Sequence, residues 1–291
     1  ELWPNLLHIA RGRGCRTLLA NARLSERSAR GYARVGALTR RMFADLDLVA
    51  CQGAEDARRY AALGLPAAAS RTTGNIKFDL AIESELRTAA RALREEIVPA
   101  GQPVIIGAST HPGEDEQLLD ALRRLRRQRD CLLVLAPRHP ERFEPVYRRC
   151  IADGWRVRRR TAGGQGGAVD ILLLDNLGEL GLFYGVAELA FIGGSLVERG
   201  GHNMLEAAAW GLPLVCGPHL YNFRHAADAL AGAGALEVIE AADELAPCLI
   251  ALLADPGRRA AMGRSAERVM RENRGATREV LGLVEELLRA G

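Results

Sequence analysis

Lysine is almost absent from this chain: of its 39 basic residues only Lys77 is lysine, and the others are arginine. A solitary lysine against that background marks a position that takes a compact ammonium in place of a planar fork, with an isolated surface lysine as the plain alternative. Paired cysteines are also missing. Cys15, Cys51, Cys131, Cys150, Cys216 and Cys248 form no CxxC and sit mostly in apolar contexts. They read as reduced, buried thiols, which excludes a disulfide framework and a zinc site. No apolar run approaches the roughly 20 residues of a membrane span, and no signal peptide opens the chain. No Asp-x-Asp cluster follows a strand in a way that demands a metal, and the net charge of +3 is too small to argue for nucleic acid. The sequence also opens on Glu1 within ELWPNLLHIA instead of on methionine, so further N-terminal sequence, holding an anchor, is expected upstream.

What is present is a chain of 291 residues, 48% of them hydrophobic, enough for one large or two ordinary domains. Its charge is unevenly spread. From Arg11 to Arg41 there are nine arginines and one acid, Glu26, a block that suits phosphate or an anionic membrane surface, or else a solvated basic helix face. Short apolar runs alternate with longer amphipathic ones, the pattern of βα units on a parallel sheet. Strands are predicted at Thr17–Ala20, Leu46–Cys51, Val104–Gly107, Leu132–Ala136, Trp155–Val157, Ile171–Leu174, Leu189–Ile192, Leu214–Cys216 and Ala235–Ile239. Helices are predicted near 25–43, 54–63, 84–96, 114–128, 140–153, 178–184, 203–209, 222–231, 241–253 and 255–288, the last broken at Asn273-Arg274-Gly275. GGQGG at 163–167 reads as a flexible loop. A boundary falls near VPAGQP, giving domains 1–98 and 99–269 and a terminal helix, 270–291, that packs back toward the first.

Polar residues gather where strands are predicted to end, the usual ligand edge of an open α/β sheet. Phe191 to Glu206, FIGGSLVERGGHNMLE, reads as strand, glycine-rich turn and helix, in which Gly194 and Ser195 let the backbone approach a ligand and free N–H groups favour an anion. Glu198 adds charge. Asn203 and Glu206, at i and i+3, share a helix face and suit a sugar or ribose; capping-box spacing accounts for them equally. Ser109 and Thr110 follow the strand at Val104, where helix capping is again the alternative. Arg138 of PRHPERF can fork onto a phosphate. His202 lies at the start of the helix after the glycines, and Lys77 lies in TGNIKFD.

Taken together, ELWPN, NARLSERSARGY, GNIKFD, ASTHPGEDE, APRHPERF, DNLGELGLFYGVAELAFIGGSLVERGGHNMLEAA and GPHLYNF resemble the 3-deoxy-D-manno-octulosonic acid (Kdo) transferases, over essentially the whole chain. The resemblance implies a GT-B glycosyltransferase of two Rossmann-like α/β domains, the first incomplete here, that moves Kdo from CMP-Kdo to a lipid A precursor at the cytoplasmic face of the inner membrane. It implies inversion at the anomeric carbon and neither a metal nor any other cofactor. By position, Ser109, Thr110, Arg138, Gly194, Ser195, Asn203 and Glu206 line the nucleotide and phosphate site. Glu198 or His202 meets the Kdo sugar, and Lys77 and Arg138 stabilise the departing phosphate. Glu1, Arg23 and Arg27 lie on the acceptor side. The family's general base, a glutamate in a glycine-containing loop near the N-terminus, has no counterpart in these residues. Two alternatives stay open: another GT-B nucleotide-sugar enzyme using UDP, and a catalytically silent nucleotide- or lipid-binding fragment.

Overall fold

The computed structural model describes residues 2–163 and 169–289, so most of the glycine loop expected at 163–167 lies outside the described residues. The chain divides into two compact units, one of Glu1–Asp79 with Arg271–Gly291 and one of Leu80–Met270.

The first unit runs α1 (Pro4–Gly12), β1 (Leu18–Ala22), α2 (Glu26–Arg34), α3 (Gly36–Ala44), β2 (Leu48–Cys51), α4 (Ala54–Ala62) and β3 (Ser70–Thr72). Its sheet is parallel, in the order β1-β2-β3. The fully buried β2 packs with Met42, Phe43 and Tyr60 in one core. The single helix expected over 25–43 is two. It stops at Val35, which takes φ −113° and ψ 42°, while the Thr39 hydroxyl donates to the Tyr32 carbonyl at 2.8 Å and so satisfies an acceptor that a continuing helix would have used. Helix α1 and strand β3 were not foreseen. The first starts on Pro4, whose missing N–H is harmless in a first turn. The second is three polar residues, held as a strand by pairing to Val49–Cys51.

The second unit runs α5 (Ser84–Ile97), β4 (Val104–Thr110), α6 (Glu114–Leu125), β5 (Leu132–Pro137), α7 (Phe143–Ala152), β6 (Val157–Arg159), β7 (Ile171–Leu173), α8 (Leu180–Tyr184), β8 (Leu189–Ile192), α9 (Leu205–Ala209), β9 (Leu214–Cys216), α10 (Arg224–Gly232), β10 (Leu236–Val238), α11 (Leu245–Ala254) and most of α12 (Pro256–Glu272). Its seven strands are all parallel, in the order β10-β9-β8-β4-β5-β7-β6. Strands β5, β7, β8 and β9 are buried throughout, as helices on both faces require. Each wholly buried Leu, Ile or Phe there contributes about 1.5–3 kcal/mol relative to exposure. The division falls at Asp79/Leu80, not at the expected 98/99, because α5 is bound into the second unit. Arg94 donates to the Val186 carbonyl, to Glu188 Oε1 at 2.5 Å and to the Gln102 carbonyl at 3.2 Å.

Past Gly275 (φ +114°) the chain returns to the first unit as α13 (Ala276–Arg289). The Asp79 carboxylate receives the Gly275 N–H at 2.6 Å and the Thr277 N–H at 2.5 Å, capping the helix start. Burial raises the Asp79 pKa, but these bonds outweigh it and hold the group below the ordinary aspartate range.

Candidate functional site

In the seven-stranded sheet the chain builds outward from β4 to β5, β6 and β7, then crosses back to place β8 on the other side of β4. That reversal opens a crevice at the carboxyl ends of β4 and β8. Ser109 takes a left-handed conformation there (φ +56°), and the ladder to β5 shifts register between Ala108 and Thr110. Gly193 is required opposite it, since a Cβ would lie 2.4 Å from the Ser109 carbonyl oxygen. The Ser195 hydroxyl donates to the Ile192 carbonyl at 2.5 Å and accepts the Gly217 N–H at 2.8 Å, tying the ends of β8 and β9 together.

The glycine-rich turn already holds an anion of its own. Glu114, the first residue of α6 and wholly buried, accepts backbone N–H bonds from His111 (2.9 Å), Gly194 (2.7 Å), Ser195 (3.0 Å) and Leu196 (3.0 Å). Burial pushes its pKa up, against the pull of those four bonds. The amides of Gly194 and Ser195, expected to meet a ligand, are therefore engaged inside the protein. Thr110 is engaged as well: its hydroxyl donates to Asp115 Oδ1 at 2.6 Å, and its carbonyl accepts Arg142 Nη1 at 2.7 Å while Arg142 also pairs with Asp115.

What the crevice presents outward is cationic. His111, 7% exposed, meets His202 with Nε2 atoms 2.7 Å apart and rings parallel to within 4°. An approach that short is an N–H···N bond through the ring edges, not a stacking of faces. His139 stands edge-on to His111, with ring centroids 5.5 Å apart. Arg138 and Arg199 are exposed, and among the described residues neither guanidinium has a partner. Burial first, then the neighbouring His111, Arg138 and His139, lower the His202 pKa to about 4; His111 is lowered by burial and by His139, Arg199, Arg142 and Arg138. A cluster that repels its own protonation favours an anionic ligand.

The Ser109 hydroxyl also has no partner among the described residues, and Glu198 is exposed. Asn203 Nδ2 donates to Glu206 Oε1 at 2.8 Å while its Oδ1 accepts the Leu205 N–H at 3.3 Å, so the pair foreseen for sugar hydroxyls also caps its own helix.

The other expected residues lie in the first unit. Lys77 is exposed on a 3-10 turn, Ile76–Asp79, with its N–H on Asn75 Oδ1 at 3.1 Å. Arg23 and Arg27 are exposed after β1 and in the first turn of α2; Glu1 lies outside the described residues. Sequence reasoning missed His111, Glu114 and Arg199. Only His111, placed directly after two expected site residues, carried a signal. Among the described residues no group of three His, Cys, Asp or Glu side chains is placed to hold a metal ion.

Two parallel-sheet units, the larger with a strand-order reversal at β4, define an α/β protein of the GT-B type. A neighbour in fold, Alr3699/HepE from Anabaena, solved with UDP and glucose, shares 15% identity over 98% of this chain and 76% of its own at a TM-score of 0.61. Residues 1–80 match the family model described as 3-deoxy-D-manno-octulosonic-acid transferase (kdotransferase). The chain is 40% identical to the 3-deoxy-D-manno-octulosonic acid transferase of Haemophilus influenzae, over 99% of its own length and 68% of the relative's, and equally so to that of Bordetella pertussis. The C-terminal CMP-Kdo binding domain of WaaA from Acinetobacter baumannii superposes with 65% of this chain and 99% of its own, at 31% identity and a TM-score of 0.61. The chain belongs to the Kdo transferases.

Proposed function

We propose that the crevice at the ends of β4 and β8 binds CMP-Kdo, and that the reaction moves Kdo to a hydroxyl of a lipid A precursor. The observation that carries this reading is the pair of partnerless guanidiniums, Arg138 and Arg199, beside the histidine cluster. A nucleotide phosphate would meet there two guanidiniums that, among the described residues, no carboxylate neutralises. Ser109 offers its hydroxyl to the same ligand, and Glu198 with the Asn203–Glu206 pair offers acceptors to hydroxyls of the nucleoside or of Kdo.

In the transfer, the acceptor hydroxyl gives its proton to a general base, and its oxygen forms a bond to the anomeric carbon from the face opposite the phosphate. The bond from that carbon to the phosphate oxygen breaks, and CMP departs with the electron pair. Inversion follows from that approach. Arg138 stabilises charge as it develops on the leaving phosphate. Cationic side chains supply what a metal would otherwise give, so the reaction is proposed to need no metal or cofactor, and a chelator is expected to leave its rate unchanged.

The acceptor is a lipid, and the first unit suits a membrane surface. Trp3, just before α1, and Leu6 and Ile9 within it are 65%, 64% and 54% exposed, and Val35 and Leu38 are more than half exposed within the arginine-rich stretch. Apolar side chains interleaved with arginine match an anionic interface, here the cytoplasmic face of the inner membrane; no described helix is long and apolar enough to cross it.

Calorimetry with CMP, CMP-Kdo and UDP tests the donor. CMP is expected to bind, and Arg138→Ala to weaken it about 10- to 100-fold, the cost of a lost bond to a charged group. Tight UDP binding without CMP binding would favour a different nucleotide-sugar enzyme.

A further inference from the structure

The contact between His111 and His202 fixes how many protons the two rings can hold. With Nε2 atoms 2.7 Å apart, one ring donates from Nε2 and the other accepts there, so the acceptor ring carries its proton on Nδ1. The neutral pair thus leaves one basic nitrogen, Nδ1 of the donor ring. A single added proton settles on it and turns the bridge into a charge-assisted imidazolium–imidazole bond. A second would set two N–H groups against each other at that distance and break the contact. The pair is therefore a one-proton store, and its rings are held in place: His111 is buried, and Gly194 lies so close that a Cβ there would be 2.9 Å from His202 Cδ2.

The charges facing the store decide whether it is filled. Arg138 and His139 face it from the end of β5, Arg142 from the turn that follows, and Arg199 from the loop after β8. Of the acids in the same segments, Glu114 is committed to four backbone N–H groups, that of His111 among them, and Glu198 is exposed to solvent. Without ligand, the cations oppose protonation and the store is empty at neutral pH. A phosphate dianion beside Arg138 and Arg199 reverses the sign of that field.

We infer that the His111–His202 pair takes up a proton from solvent when a nucleoside monophosphate binds, and returns it when the nucleotide leaves. The inference rests on the donor-site reading above. It also distinguishes donor from product, because CMP-Kdo carries one phosphate charge and departing CMP carries nearly two. Release of CMP at neutral pH becomes coupled to loss of a proton.

Calorimetric titration of the whole chain with CMP at pH 7, in buffers of different ionisation enthalpy, counts the protons exchanged. Net uptake of about half a proton or more per CMP is expected, and none with cytidine. Arginine neighbours drive protons off a phosphate, so uptake must come from the protein. His111→Gln and His202→Gln are each expected to abolish uptake while CMP still binds, and His139→Gln to leave it. CMP binding with no uptake, uptake that survives both pair variants, or uptake lost only in His139→Gln would overturn the inference. Absence of CMP binding would remove the donor-site reading and this inference with it, a result distinct from binding without proton exchange. If the glutamine variants do not fold, nitrogen-15 histidine spectra of the unaltered protein with and without CMP read the same proton. Unchanged ring protonation would be the overturning result.

Discussion

Each unit's sheet carries one non-glycine residue in the left-handed region, and in both it lies in the unit's first strand near its carboxyl end: Asn21 in β1 (φ +52°) and Ser109 in β4 (φ +56°). In each case the ladder to the neighbouring strand shifts register at that point. The two irregularities are used differently. Asn21 turns inward: its Oδ1 accepts the Ile76 N–H at 3.2 Å and its carbonyl accepts Gln52 Nε2 at 3.0 Å, so it fastens the turn that bears Lys77. Ser109 lies under Gly193 and leaves its hydroxyl unengaged. A strained residue can thus hold a structure together at one edge and present a group at the other, and what separates the uses is whether its polar atoms are already satisfied.

Removing the hub of the second edge should have the largest effect. Glu114→Ala leaves four buried N–H groups without an acceptor and is expected to destabilise the second unit by on the order of 4 kcal/mol, read by chemical denaturation. A loss under about 1 kcal/mol would mean that the turn is not held by that carboxylate. At the first edge, Asn21→Ala should cost about 1–2 kcal/mol, with Asn21→Gly recovering only the backbone share. A glycine variant as stable as the unaltered protein would show that the bond to Ile76 is idle.

The edges should also respond differently to acid. Asn21, Gln52 and Asn75 are amides and do not titrate, whereas His202 is held neutral with its pKa near 4, below its unfolded value of about 6.5. Between those values the unfolded chain binds the proton more readily. The contribution is therefore complete above pH 6.5 and is lost as pH falls toward 4. His202→Gln should flatten the decline of the thermal midpoint over that window; parallel curves would count against it. The smallest stability effect is expected from Ser109→Gly, within about 1 kcal/mol of the unaltered protein, since strain relief and unfolded-state entropy oppose each other. A larger loss would give Ser109 a structural role like that of Asn21.

Elements buried by their own composition were legible in the sequence. Strands β5, β8 and β9 are continuous apolar runs and lie within a residue of where they were expected, and the break at Asn273–Gly275 is marked by its glycine. Strand β3 was not legible, because Ser70, Arg71 and Thr72 are polar and become a strand only through β2. The site divides the same way. Asn203 and Glu206 were readable as a pair because helical spacing joins them. His111 and His202 are separated by 91 positions and Glu114 and Gly194 by 80, distances over which a linear pattern carries no information. Glu114 opens the helix predicted at 114–128, and nothing in the linear pattern ties it to the turn it serves.

That turn has a bearing on how the protein is made. Its conformation is supplied by a residue 80 positions earlier, and bringing such segments together costs loop-closure entropy before any contact repays it. Local collapse around β8 cannot shape it; α6 must already be docked on the sheet. The crevice should therefore appear late in folding, with the completed domain, and a nascent chain released before β8 would carry Arg138 and His111 with nothing arranged around them to hold a nucleotide.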